Sequence, residues 1–212
     1  MKKLIDFTQE VFKGRTIYRI LFSWKLQKYC KNIQGNILDL GGGKNPTYRK
    51  YLPKETTLIR AECNKEKNPD ILLDMNAEHW EVKKESYDTV FCHNTLYISA
   101  QPEQVIHNIY SVLKSEGKLF LTTPFIFRES PEPHDYYRFT SEKLLEMCQS
   151  QGFVKVKVIP FGKNFSSVAY LLYPFFYFRF LKWFIYGAAI VLDRLVPERV
   201  SVPLGFFVIA KK

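Results

Sequence analysis

Apolar side chains recur at helical spacing through residues 4–29, with Phe7, Val11 and Phe12 on one stripe, Ile17, Ile20, Leu21 and Trp24 on another, and Gly14 between them. That pattern predicts two short amphipathic helices. From residue 36 the period changes. "NILDL" is a continuous apolar run that closes on "GGGKNP", which suits a buried parallel strand feeding a tight turn. "TTLIRAEC", "DILLDM" and "YDTVFCH" supply three more strands, and "EQVIHNIYSVLKSEG" reads as a helix closed by Gly117 with "KLFLTTPF" as the next strand directly after it. "SEKLLEMCQSQG" is a further helix, capped by Thr140 or Ser141. "FVKVKVI" alternates as a strand with one wet face, and "PLGFFVIAKK" is the final strand.

Strands alternating with helical stretches predict a mostly parallel sheet with helices on both faces. Ligands of such sheets bind beyond the carboxyl ends of the strands. Attention therefore falls on residues 39–45, Glu62, residues 74–76, residues 92–97 and the loop after Thr123. The last two strands are separated by roughly forty residues, far more than the 2 to 5 of a hairpin. That insertion is strongly aromatic: residues 165–186 hold eleven Phe, Tyr or Trp.

A chain of 212 residues with 46% apolar and 25% charged residues fits one globular domain and excludes a disordered polymer. The net charge of +10 is unevenly spread. Residues 1–34 carry Lys2, Lys3, Lys13, Arg15, Arg19, Lys25, Lys28 and Lys31 against Asp6 and Glu10, which points to an anionic surface, lipid or nucleic acid. Cys30, Cys63, Cys92 and Cys148 lack zinc spacing and read as reduced, buried thiols. No His, Cys and Asp cluster has metal spacing, so no metal is expected. The N-terminus lacks the pattern of a cleaved signal peptide, so a cytoplasmic protein is expected, at the inner face of the membrane if the basic arm meets lipid.

"ILDLGGGKNP" joins a strand to a glycine turn, and Glu62 follows Gly41 by 21 residues at the end of the second strand, where a carboxylate can take both ribose hydroxyls. The order of motifs over residues 35–160 resembles the class I S-adenosylmethionine-dependent methyltransferases, close to the small bacterial type 11 group. The resemblance implies a Rossmann-like, mostly parallel seven-stranded sheet with the last strand antiparallel, an enzyme, and S-adenosyl-L-methionine as cofactor. It also implies cofactor contacts from Asp39, Gly41, Gly42, Gly43 and Asn45, from Glu62 and Cys63, and from Asp74, Met75 and Asn76 in "LDMNAEHW". His93 and Asn94, at the end of the fourth strand, are expected to face the cofactor. Two departures stand out: Asn45 replaces a usual glycine, and Tyr97-Ile98 replaces a usual Glu-His pair.

"HDYYRFT" resembles a segment found after the fifth strand in one branch of that family, often linked to surface glycans or lipids. His134 is the expected general base, with Asp135 to orient it or to serve as base itself. Tyr97, Tyr136, Tyr137 and Arg138 are expected to line the acceptor site. The bland alternative is a helix entry, in which Asp135 or Thr140 caps, Arg138 pairs with a carboxylate and the tyrosines pack. The expected acceptor is a hydroxyl or carboxyl of a small or amphiphilic molecule, such as a glycan or lipid precursor. DNA base methylation is disfavoured because "CHNTLY" stands where an amino-methylating enzyme has Asn or Asp before Pro-Pro-Tyr; RNA stays open. "VAYLLYPFFYF" and "WFIYGAAIVL" are each too short to span a bilayer, so the insertion is expected to lie in an anionic membrane surface, to lid the pocket or to form a homodimer patch. A cofactor-less adaptor using the insertion to bind a partner is the rival. The division expected is residues 1–34 as basic helices, 35–160 as the cofactor core, 161–203 as the insertion and 204–212 as the core's last strand.

Overall fold

The structure, a computed structural model, describes residues 2–131, 134–197 and 200–212. Two helices, α1 (Lys2–Phe12) and α2 (Ile17–Cys30), precede β1 (Asn36–Leu40), β2 (Thr57–Glu62), β3 (Ile71–Leu72) and β4 (Tyr87–His93). Then come α3 (Pro102–Val112), β5 (Leu113–Pro124), α4 (Ser141–Ser150), β6 (Val154–Phe161), α5 (Asn164–Leu171), α6 (Arg179–Leu195) and β7 (Gly205–Lys211). The seven strands form one sheet in the order β3-β2-β1-β4-β5-β7-β6. Pairing is parallel from β3 to β5, and β7 runs antiparallel between β5 and β6. The Rossmann-like sheet, the antiparallel last strand and the insertion before it are as the sequence predicts.

Each inner strand is apolar on both sides because each side is covered. Leu38, Leu40, Val90, Cys92, Val208 and Ala210 join α3 and α4 in one core. Ile37, Phe91, Phe120 and Phe207 face the opposite way, into a core shared with both N-terminal helices and both insertion helices. α1 and α2 are therefore packed into the fold. α2 buries Ile17, Tyr18, Ile20, Phe22, Leu26 and Cys30, which lie all around its axis rather than on one stripe. The insertion is locked in by Asp193, whose carboxylate accepts from the Lys163, Phe165 and Ser166 amides and the Ser166 hydroxyl (2.5–3.3 Å), satisfying the open first turn of α5.

Three sequence expectations need correction. The helix before β5 ends at Val112, not at Gly117; fully buried Leu113 already pairs with Tyr87, and the next pair is Lys118 with Thr89, so residues 114–117 loop out with Glu116 at φ 67°. "DILLDM" yields only the two-residue β3, because Asp74 turns the chain by accepting from the Asn76 amide at 2.9 Å. Cys63 is exposed at the end of β2, whereas Cys30, Cys92 and Cys148 are buried, with burial pushing their thiols up to about 12, 11 and 12.

Candidate active site

A cavity of about 670 Å³ opens beyond the carboxyl ends of β1, β4 and β5, within the size range of a cofactor site. Its floor is the turn after β1. Gly41 and Gly43 both stand at φ 71°, where a side chain is strained, and a Cβ on Gly42 would lie 1.9 Å from Asp39 Oδ2. The turn leaves backbone as the cavity surface at Gly41, Gly42 and Gly43, with Asn45 beside it. Two carboxylates hold it. The Gly43 amide donates to Glu62 Oε1 at 2.7 Å, and Lys67, also on the wall, meets Glu62 at 3.2 Å. Asp39 is fully buried and takes the Tyr48 hydroxyl on both oxygens, at 2.5 and 2.6 Å. Burial pushes the Asp39 carboxyl up to about 7, a rise that the Tyr48 bond opposes.

The second wall is the end of β4. His93 sits among Phe22, Tyr48, Phe91 and Phe207, and its Nδ1 meets Thr122 Oγ1 at 2.9 Å. Nε2 has no hydrogen-bond partner among the described residues, and burial lowers the ring to about 3, so it stays a neutral imidazole at physiological pH. Asn94 adopts φ 56° and accepts from the Tyr18 hydroxyl at 2.5 Å, tying α2 to the strand end. Opposite the strand ends, the cavity is closed by Arg15, Tyr18 and Arg19 from the N-terminal helices and by Tyr170 and Tyr173 from the insertion.

The segment after β5 divides, with its first part on this wall and residues 134–138 behind it. Tyr97, Phe127, Arg128 and Ser130 line the cavity. The Tyr136 and Tyr137 amides donate to the Tyr97 carbonyl (3.0 and 3.2 Å), and the Arg138 guanidinium lies 5.5 Å from the Tyr97 ring centre. Asp135 does not meet His134. Its carboxylate pairs with Arg138 and accepts from the Ser130 amide, and the Arg138 bond holds it below the usual carboxylate range. His134 is exposed and stacks on Tyr136 at 5.1 Å. Thr140 caps α4 through the Lys143 amide.

Of the residues expected at the site, Gly41, Gly42, Gly43, Asn45, His93, Asn94 and Tyr97 line one cavity. Asp39 and Glu62 hold its turn. Cys63, Asp74, Met75 and Asn76 lie at the ends of β2 and β3 outside the lining; Asn76 accepts from Ser99 and the Ala100 amide instead. His134, Asp135, Tyr136, Tyr137 and Arg138 are outside it too. Sequence reasoning missed Tyr18, Tyr48, Lys67 and Tyr170, whose only local signal is an aromatic or basic residue close to a turn or helix start.

A methyltransferase-domain family model matches residues 47–121, roughly a third of the chain. The tRNA U34 carboxymethyltransferase of Sulfurimonas denitrificans is 28% identical over 102 residues, covering 42% of this chain and 34% of that protein. The match therefore spans about a third of that relative's length. Among solved structures, an S-adenosylmethionine-dependent methyltransferase from Archaeoglobus fulgidus superposes with TM-score 0.60 at 16% identity, covering 96% of this chain and 97% of that one. Phosphoethanolamine N-methyltransferase 2 of Haemonchus contortus, bound to S-adenosyl-L-methionine, gives 0.61 at 15% identity over 90% of this chain and 52% of that one. The sheet order and the shared superposition give the chain the fold of class I S-adenosylmethionine-dependent methyltransferases.

Proposed function

We propose that the chain methylates a hydroxyl or carboxyl of an amphiphilic, negatively charged acceptor within the 670 Å³ cavity. The observation that carries this reading is the two-sided wall: strand ends and glycine turn on one side, N-terminal helices and insertion on the other. Bound S-adenosylmethionine supplies an activated methyl group on a sulfonium. The residues fit that group, because the turn leaves no Cβ over the floor and a buried imidazole Nε2 on the wall lacks a partner among the described residues.

In this reading Gly41, Gly42, Gly43, Asn45 and Glu62 grip the cofactor, aided by Asp39 beneath the turn. Cys63, Asp74, Met75 and Asn76 bound its nucleoside end, and His93 and Asn94 form the wall between cofactor and acceptor. Residues 35–160 and 204–212 thus supply the cofactor side, and residues 1–34 and 161–203, joined by Tyr97 and the segment after β5, the acceptor side. Arg15, Arg19 and Arg128 ring the acceptor side, which suits a carboxylate or phosphate. Tyr97 packs against the acceptor, and Asp135, Tyr136, Tyr137 and Arg138 position it. His134, exposed and stacked on Tyr136, receives no proton-transfer role.

No helix among the described residues is long and apolar enough to cross a membrane. The exposed aromatic residues of the insertion support peripheral contact with an anionic membrane, where an amphiphilic acceptor resides. An RNA acceptor is the second reading, favoured by the same cations and by the tRNA enzyme among the relatives. Titration calorimetry with S-adenosylhomocysteine tests the first half: micromolar binding is expected, and its absence from folded protein sinks the enzyme in favour of an adaptor. Labelled donor offered with lipid extract and with RNA tests the second; label in RNA, lost steeply with salt, replaces the lipid reading.

A further inference from the structure

Away from the cavity, α6 turns an apolar face to solvent. Phe180, Phe184, Val191 and Leu195 follow helical spacing and are all exposed, Leu195 by 72%. The turn before it adds Phe175, Tyr177 and Phe178, the last two 85% and 73% exposed. The face is about 25 Å long at 1.5 Å per residue. On α1, which packs against α6, Leu4 and Ile5 are exposed as well. Apolar surface on this scale marks a partner or a membrane.

Beside it lies a second cavity, about 380 Å³, between α2, the end of β6 and the C-terminal part of α6. Lys3, Lys25, Lys28 and Arg194 line it over a floor of Leu21, Trp24, Phe161 and Ile190. Asp193 is the acid among the described lining residues, and its four hydrogen bonds to α5 commit both its oxygens. Lys3, Lys25, Lys28 and Arg194 outnumber this one acid, so the described lining keeps a net positive charge. Arg194 stands between Leu192 and Leu195 of the exposed face, and Lys3 precedes Leu4 and Ile5. Cations over an apolar floor, at the border of an aromatic surface, match a lipid molecule: phosphate above, acyl chain beside.

Resting on the membrane reading above, we propose that this pocket receives the phosphate head group of an anionic lipid while the outer face of α6 enters the bilayer interface. A second copy of this chain is the poorer occupant, because an isologous contact would bring two such cationic rims together. A free phosphate would draw nothing from the apolar floor.

Sedimentation with phosphatidylcholine vesicles, with and without phosphatidylglycerol, tests the proposal on the full chain. Intact protein is expected to favour the anionic vesicles. The double variant Lys25→Gln/Lys28→Gln is expected to lose roughly 10- to 30-fold of that partition, since each cation near an anionic leaflet contributes up to about fivefold. Phe180→Ser/Phe184→Ser should lose binding to both vesicle types. An unchanged S-adenosylhomocysteine affinity and thermal midpoint in the lysine variant establish that it is folded and that the pocket is separate from the cofactor site. Equal partition of the lysine variant and the intact protein overturns the head-group pocket and leaves the membrane reading standing. No sedimentation of intact protein with either vesicle overturns both. Micromolar calorimetric binding of inorganic phosphate without any vesicle preference makes the pocket a free-phosphate site and overturns the lipid proposal.

Discussion

Asp39 offers the sharpest test of how the site is built, through Asp39→Asn. Its carboxyl is buried beneath the glycine turn, and burial raises it from the ordinary 3.8 to about 7. The folded state therefore binds a proton that the unfolded chain releases near pH 4. Between those values the unfolded chain carries fewer protons, so stability falls as pH rises from about 4 to about 7, and the loss is complete above that range. Roughly three units at 1.36 kcal/mol each set a ceiling of about 4 kcal/mol, reduced in practice by relaxation around the charge. Asn keeps the shape and can still bond to Tyr48 but cannot ionise. Urea unfolding at pH 5 and pH 8 reads the effect, since the midpoint follows stability when the slope is unchanged. The variant should lack the Asp39 share of the loss on going to pH 8 and become relatively more stable there. A wild-type pH dependence in Asp39→Asn would show that the carboxylate is not paying for its burial, and the account of the turn would fail.

Glu62→Gln should weaken S-adenosylhomocysteine by about tenfold or more, because the charged acceptor of the Gly43 amide is lost; unchanged calorimetry would remove Glu62 from the grip. Arg138→Lys should lower kcat/KM about tenfold while leaving cofactor affinity intact, because a lysine cannot reproduce the forked pair with Asp135 or the stack on Tyr97; restored or unaltered turnover would disprove positioning through that pair. His134→Ala should leave turnover within about twofold, and a loss near 100-fold would return the proton-transfer role to that histidine. His93 is held neutral, with a value of about 3, so the rate profile should show no histidine limb of its own between pH 5 and 8; a limb abolished by His93→Gln would contradict its burial.

Much of the fold was readable from short-range pattern. The switch from helical to strand period at residue 36, the glycine turn, Glu62 at a strand end and Thr140 as a cap are each set by backbone preferences within a few residues. The same locality explains the misses. Gly117 looked like a helix stop, yet burial of Leu113 against β4 ended α3 five residues earlier, at Val112, outweighing the turn signal. The start of the chain read as two basic amphipathic helices, and that α2 is buried on all sides at Ile17, Tyr18 and Leu26 was not visible, because charge shows in sequence and packing does not.

What the chain alone determined was the sheet, its order of motifs and the glycine turn, since these depend on periodicity and on residues with special backbone freedom. Only the tertiary structure decided which side chains face the cavity. Tyr18 reaches Asn94 across 76 positions, and Tyr170 arrives from an insertion with no local link to the strand ends. His134 and Asp135 adjoin in sequence but point to different partners, because Arg138 and the Ser130 amide offer Asp135 a stronger charge-assisted bond than the exposed imidazole does. Side-chain direction is settled by packing between distant elements, and distant packing leaves no periodic trace in the sequence.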